Sequence, residues 1–192
     1  MNFVLTQDQE AIRKTVQEFT AKRIAPGAAE RDEKDIFPRD IYNEMGKLGL
    51  MGIPYPEEYG GAGLDFVAYA LAVEEISKAD AGIGIGLSVH TSLCSWPIFK
   101  YGTEEQKKKY LTPLAKGEKM GAFGLTEPNA GTDVGGATST AVKDGDFYVI
   151  NGTKVFNTNG GEAEIEIIFA STNKEAGPFK GMSAFIVELG TP

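Results

Sequence analysis

The segment Phe123-Gly124-Leu125-Thr126-Glu127-Pro128-Asn129-Ala130-Gly131-Thr132-Asp133 leaves a short apolar run and enters a loop rich in hydrogen-bond donors and small residues. Such a loop suits an anionic or heteroaromatic ligand. Gly131 lets the backbone approach a bulky group, backbone N–H groups can cradle a phosphate, and the Thr126 and Thr132 hydroxyls can each donate one hydrogen bond. A second cluster, Phe156-Asn157-Thr158-Asn159-Gly160-Gly161, closes another apolar run with an aromatic ring, a hydroxyl and two amides. That set can cover one face and one edge of a planar ring system. The plain alternative is that both are ordinary polar turns.

Other candidates are weaker. Gly82-Ile83-Gly84-Ile85-Gly86 follows a helical segment and lacks dinucleotide-loop spacing, so close packing of a buried helix explains it more simply. His90 and Cys94 stand four apart and share one helix face, as a metal pair or a nucleophile with its base would require. No third partner is identifiable, and a satisfied core histidine beside an inert buried thiol is the simpler reading. With 1 Cys and 1 His, neither a structural zinc site of the usual kind nor an internal disulfide is available. The carboxylate pairs Glu57-Glu58 and Glu74-Glu75 are adjacent in sequence, point apart on a helix, and read as solvated or salt-bridged. Nothing resembles a hydrolase triad.

The elements that position these clusters change character near Lys119. Residues 1–118 read as an all-helical domain. Thr6 with Gln9 has the capping-box pattern before Ile12, Val16 and Phe19, and Pro26-Gly27 ends that run. A second helix from Pro38 is expected to bury Ile41, Met45 and Leu48 and stop at Gly49, and a third to run from Asp65 through Leu71, Val73 and Ile76. The nearly uncharged stretch Gly82 to Phe99 predicts a buried helix, with Pro97 bending it or opening a new turn, and Thr103 with Gln106 caps a fifth helix ending near Gly117. Residues 119–192 read as an antiparallel β-domain. Strands are expected at 120–125, 146–150, 153–156, 165–170 and 182–187, with Asp144-Gly145 and Asn151-Gly152 as two-residue hairpin turns. No helix-length segment separates the strands, so a Rossmann sheet is excluded. The closing run Val187 to Pro192 leaves the last strand with nothing after it to cover its edge, which leads us to expect a truncated domain.

With 27 acidic and 19 basic side chains the net charge is -8, which argues against nucleic-acid binding through the backbone. The basic run Lys107 to Lys109 sits beside Glu104 and Glu105 and reads as a solvated helix face. No stretch predicts a membrane span or a secretion signal, and a cytoplasmic location is expected, with a mitochondrial matrix as the eukaryotic equivalent.

The two clusters together resemble the acyl-CoA dehydrogenases, flavoproteins that oxidise the Cα–Cβ bond of an acyl-CoA thioester. The family's flavin loop, Leu/Val-Thr-Glu-Pro-x-x-Gly-Ser/Thr-Asp, is matched by Leu125 to Asp133, and its motif of an aromatic followed by Ile-Thr-Asn-Gly by Phe156 to Gly160. The Pro-Glu-Glu-Tyr-Gly-Gly loop at 56–61, the segment from Tyr101 and the Asn-Gly-x-Lys run at 151–154 resemble it too, and the details are most similar to short-chain, butyryl-CoA-type members. The resemblance implies a helical domain, a β-domain and a C-terminal helical bundle absent from this sequence, with FAD and thioester held between them.

It further implies cofactor contacts from Phe123, Leu125, Thr126, Gly131, Thr132, Phe156, Asn157 and Thr158. Leu125 and Thr126 would bond the flavin pyrimidine edge, Thr132 would lie by the pyrophosphate and the substrate's pantetheine arm, Phe156 would pack on the isoalloxazine, and Thr158 would donate to N5. The helix from Gly82 would wall the acyl pocket, making His90 and Cys94 candidate substrate contacts and hinting at a functionalised acyl group. The implied partners are an acyl-CoA or enoyl-CoA substrate, an electron-transfer flavoprotein and further copies in a homo-oligomer. A reductase running in reverse with a bifurcating flavoprotein, and a non-catalytic flavin or acyl-CoA binding module, are the alternatives. Asn157 departs from the family's usual isoleucine, and a buried amide without partners is costly. The family's catalytic glutamate belongs to the C-terminal bundle, and no glutamate here matches its motif, so no catalytic base is assigned.

Overall fold

The computed structural model describes residues 4–190. Met1 to Phe3, at the start of the stretch read for a leader, and Thr191-Pro192, beyond the last strand, lie outside the described residues. Helix α1 (Gln7–Phe19) opens with the expected capping box and buries Val16 and Phe19; it passes through a wide turn, Thr20–Ile24, and a tight one ending at Gly27 before α2 (Ala28–Glu33). In α3 (Arg39–Lys47) Ile41, Tyr42 and Met45 face inward. Leu48, expected inward as well, is 47% exposed, because the helix has already ended and Gly49 turns the chain away at φ +74°.

Helix α4 (Phe66–Ser77) starts at Asp65, whose side chain accepts from the Ala68 N–H. It buries Ala68, Tyr69, Ala72 and Ile76, with Leu71 and Val73 only partly covered. Helix α5 (Ala81–Ser88) is capped by Asp80, and its glycines serve packing: a Cβ at Gly86 would collide with the Tyr42 hydroxyl and one at Gly84 with Ser77. The chain continues in wide turns, Val89–Ser95, into α6 (Trp96–Tyr101), where Pro97 sits in the first turn and so opens a new helical segment. Thr103 caps α7 (Glu104–Gln106), which leads through Lys107–Leu111 to α8 (Thr112–Ala115).

Strand β1 (Gly121–Gly124) follows, then β2 (Thr140–Asp144), β3 (Phe147–Asn151), β4 (Ile165–Ser171) and β5 (Met182–Glu188). The sheet is mixed, which corrects the expected antiparallel meander. β1 runs parallel to β4, Gly121 opposite Ile165; β5 runs antiparallel on β4, Ile165 opposite Glu188; and β2 meets the end of β4 at Thr140 opposite Ser171. The chain between β1 and β4 crosses to the far side of β4's position, forms the β2–β3 hairpin across Gly145-Asp146 at that edge of the sheet, and returns to run beside β1 in the same direction. Of the two expected hairpin turns, the one placed at Asp144-Gly145 lies one residue later, with Asp144 still paired opposite Phe147, and the one at Asn151-Gly152 does not form. Gly152 (φ +159°) is packed against Ser139, where a Cβ would collide with the hydroxyl, and residues 153–156 lie along the loop after β1 without forming a strand. No helical bundle follows the sheet within the described residues.

Two cores result. One lies among the helices and includes Val16, Ile24, Met45, Leu50, Ile76 and Leu87. The other joins helices to sheet through Tyr55, Cys94, Ile98, Leu114, Ile165 and Ile167. At about 1.5–3 kcal/mol for each large side chain buried, the second core ties the two layers into one body.

Candidate functional site

The loop after β1 and the segment before β4 are bound to each other. Lys154 Nζ donates to the Leu125 carbonyl at 3.1 Å and to Glu127 Oε1 at 2.8 Å, and the Val155 N–H donates to the Thr126 carbonyl at 2.9 Å. Glu127 also accepts from the Thr138 N–H at 2.6 Å, the Thr138 hydroxyl at 2.8 Å and the Ser139 N–H at 3.0 Å. Burial works to raise its carboxyl, but the bonds from Lys154, Ser139 and Thr138 outweigh this and hold it far below the usual carboxylate range. Glu127 and Ala130 exchange backbone bonds at 3.0 Å, which closes a turn with Pro128 and Asn129 at its tip. Beyond it Gly131, Thr132 and Asp133 are exposed, with nothing within 4 Å of a Cβ placed on Gly131.

Phe156 stands with its ring 91% exposed on a backbone at φ +59°, and Asn159 follows at φ +67°. Left-handed backbone at a bulky residue costs about 1–3 kcal/mol and persists only where the surroundings impose it. Here the anchors lie on both sides. Lys154 and Val155 hold the approach, while Asn159 Nδ2 donates to the Gly86 carbonyl at 2.9 Å and the Gly121 carbonyl at 3.0 Å. Between them Asn157 Nδ2 donates to Glu166 Oε1 at 2.7 Å. Burial raises the Glu166 carboxyl, with the Asn157 bond and the Lys154 charge pulling the other way. Thr158 and Asn159 line a cleft of about 650 Å³ whose other walls include Arg31, Phe37, Tyr42, Asp80 and Gly82.

The two clusters therefore adjoin, and Phe123 supports them from β1, its ring 5.4 Å from that of Phe169. An exposed aromatic on imposed backbone, open approach at Gly131, and the Thr126, Thr132 and Thr158 hydroxyls fit a planar heteroaromatic with an anionic tail.

His90 and Cys94 require a correction. Neither has exposed surface, so they do not line a pocket. His90 Nδ1 accepts from the Gly121 N–H at 3.0 Å, which leaves the proton on Nε2 to donate to the Leu114 carbonyl at 3.1 Å, and burial pushes its pKa down to about 4. The Cys94 thiol points at the Ile165 carbonyl at 3.7 Å, and burial pushes it up to about 12. Together they fasten the Val89–Ser95 turns to β1 and β4.

The roles of Glu127 and Lys154 as a buried pair, of Asn159 as a tie to Gly86 and Gly121, and of Glu166 as the partner of Asn157 do not follow from any motif in the sequence. One signal was present: Glu166 is a charge within the otherwise apolar run Ile165 to Phe169.

Residues 6–118 match the model of the acyl-CoA dehydrogenase N-terminal domain, and residues 122–192 that of the middle domain. The short-chain specific acyl-CoA dehydrogenase of Clostridium acetobutylicum is 56% identical over 190 residues, 99% of this chain and 50% of the relative. A chain of the electron transferring flavoprotein structure of Acidaminococcus fermentans, solved towards a mechanism of flavin-based electron bifurcation, superposes with TM-score 0.97 at 53% identity, covering 100% of this chain and 50% of that one. Butyryl-CoA dehydrogenase of Megasphaera elsdenii superposes with TM-score 0.96 at 49% identity, covering 100% and 51%. The chain thus spans about half the length of the relatives it matches. With motifs, helical layer and mixed sheet all in agreement, this chain belongs to the acyl-CoA dehydrogenase family.

Proposed function

We propose that the protein carrying this chain is a FAD-dependent dehydrogenase of short-chain acyl-CoA thioesters. It converts a saturated acyl-CoA to the trans-2-enoyl-CoA, and electrons pass to an electron-transfer flavoprotein. The observation that carries this reading is the tie between the two motif segments: Lys154 and Val155 bind the backbone of Leu125 and Thr126, so two clusters separated in sequence form one site. The short-chain relative and the butyryl-CoA dehydrogenase support the chain length, and the flavoprotein structure supports the electron partner.

FAD, the cofactor of the acyl-CoA dehydrogenase relatives, supplies when bound the acceptor for the hydride that leaves the β-carbon. This chain's residues hold and orient it. Leu125 and Thr126 would bond the pyrimidine edge, Gly131 and Thr132 would accommodate the pyrophosphate, and Thr132 would also serve the pantetheine arm of the substrate. Phe156 would pack on the ring system, and Thr158 would donate a hydrogen bond at N5, a polar contact whose value grows as water is excluded. Phe123 would support these contacts from β1, and Asn157 from the turn that it ties to Glu166 on β4. No residue of this chain is assigned as the base for the α-proton.

A second reading has its own observation. Similarity to a chain from an electron-bifurcating flavoprotein structure favours the reverse reaction, reduction of an enoyl-CoA, as the physiological direction. The test is product analysis with the full-length, FAD-loaded protein and an electron-transfer flavoprotein. Butyryl-CoA is expected to give trans-2-butenoyl-CoA at least about tenfold more efficiently than octanoyl-CoA, a margin that a pocket fitted to a short chain can supply. Equal rates on both would contradict the short-chain assignment, and no enoyl product from either would contradict the dehydrogenase.

A further inference from the structure

Asn157 occupies a position where the family resemblance leads to isoleucine, and its partner Glu166 lies among apolar strand residues. The two polar groups face each other inside the molecule. Asn157 Nδ2 donates to Glu166 Oε1 at 2.7 Å, Glu166 is 5% exposed, and Asn157 Oδ1 is buried with no hydrogen-bond partner among the described residues. Strand β1 is reduced to glycine at this point: a Cβ at Gly124 would stand 2.7 Å from Glu166 Oε1 and 3.4 Å from Asn157 Nδ2.

An orphaned buried amide oxygen costs about 1–3 kcal/mol, and a buried ionised carboxylate beside it adds to the cost. One proton from solvent removes both. The Glu166 hydroxyl then donates to Asn157 Oδ1 while the other carboxyl oxygen accepts from Nδ2, so that each group is donor and acceptor at once.

The surroundings agree. Opposite Glu166 stand Ala122 on β1, a strand without titratable groups, and Val187 on β5, whose neighbour Glu188 is paired with Lys109 at 2.7 Å. Lys154 faces the pair from the returning segment, but its charge is matched by Glu127. The buried Cys94 thiol approaches from the helical layer, and Asn157 and Glu166 border an open cavity whose walls also carry Asp146, Tyr148 and Tyr110.

We propose that Asn157 and Glu166 form a protonated acid–amide pair that positions the Phe156–Thr158 turn, and through it the flavin ring. Loss of the proton leaves the amide oxygen unpaired, loosens the turn and weakens flavin binding. Asn157 and Glu166 are thus positioning residues acting through their neighbours. This inference rests on the flavin-binding reading above.

The experiment measures FAD affinity of the full-length apoprotein by flavin fluorescence between about pH 5 and 9. In the wild type the affinity is expected to fall about tenfold as pH rises, a change worth 1.4 kcal/mol. Glu166→Gln, whose amide reproduces the donor and acceptor of the protonated acid, is expected to bind at the wild-type acid-side level with no pH dependence. Asn157→Ile is expected to bind about tenfold more weakly at the acid end. Infrared spectra of the unmutated holoprotein provide a second measurement: a neutral carboxylic acid band, shifted by 13C-glutamate, is expected to fade over the same pH range. A flat wild-type profile, a Glu166→Gln profile that tracks the wild type, or absence of the acid band would overturn the inference. Flat but intact FAD binding leaves the flavin reading standing, whereas a wild type that binds no FAD at any pH removes both.

Discussion

Lys154 Nζ sits 2.8 Å from Glu127 Oε1, with the two side chains 8% and 4% exposed. The pair joins the Asn-Gly-x-Lys run to the Thr-Glu-Pro loop, and the same ammonium reaches the Leu125 carbonyl. Two motifs far apart in sequence are held at fixed spacing by one buried charge pair whose remaining acceptor sites are filled by Thr138 and Ser139.

Glu127→Gln should destabilise the protein by about 3–5 kcal/mol, because it leaves the Lys154 charge buried and unpaired. In the wild type the folded carboxyl is held below its unfolded value. Its stabilisation is therefore complete above the ordinary carboxylate range and is lost as pH falls below about 4, a slope the variant should lack. Urea midpoints measured across acid pH check both statements, and an unchanged acid slope would count against the assignment.

His90 gives a second pH dependence with its own window. Its folded pKa is about 4 against an ordinary 6.5, so the neutral ring is the form the fold requires. Stability from this group is complete above pH 6.5 and is lost as pH falls toward 4, to a total of about 3 kcal/mol. His90→Ala should remove that slope and cost about 2–4 kcal/mol through the unpaired Gly121 N–H and the cavity left behind. The acyl-chain preference of the full-length protein should not change, since the ring has no exposed surface.

Asn159 tests how the turn is held. Asn159→Ala loses two hydrogen bonds and places alanine at φ +67°, and a loss of about 2–3 kcal/mol is expected. Asn159→Gly should be milder than Asn159→Ala, because glycine accepts the left-handed backbone without strain. Thermal melts of the two variants side by side decide it; a glycine variant as damaged as alanine would mean the backbone conformation is not strained.

Much of this was legible in the sequence, and the failures have physical causes. Thr6 with Gln9 and Thr103 with Gln106 marked helix starts because capping is a local interaction. The β2–β3 hairpin was legible for the same reason. The parallel pairing of β1 with β4 was not, since it joins residues more than forty positions apart, Gly121 to Ile165, and leaves no local pattern. Asn151-Gly152 carried a hairpin signature that tertiary packing against Ser139 overrode. Among the candidate site residues, Phe156 is legible by type, but its left-handed backbone comes only from anchors on either side. His90 was misleading because helical spacing says which residues share a face, not whether that face meets a cavity or another backbone.

Phe156→Ala separates support from binding. With the ring 91% exposed, folding stability should change by no more than about 0.5 kcal/mol. FAD affinity of the full-length protein should fall about twofold to tenfold, the range for one lost aromatic contact of about 0.5–1.5 kcal/mol. A large drop in melting temperature would instead make the ring part of the fold.

The central claim is that the paired clusters hold a flavin that accepts electrons from a short-chain acyl-CoA. The most direct measurement is the visible absorption spectrum of the purified full-length protein before and after anaerobic addition of butyryl-CoA. Flavin absorption that bleaches on addition is the predicted result. A protein that takes up no FAD, or flavin absorption that butyryl-CoA leaves unchanged, would contradict the account.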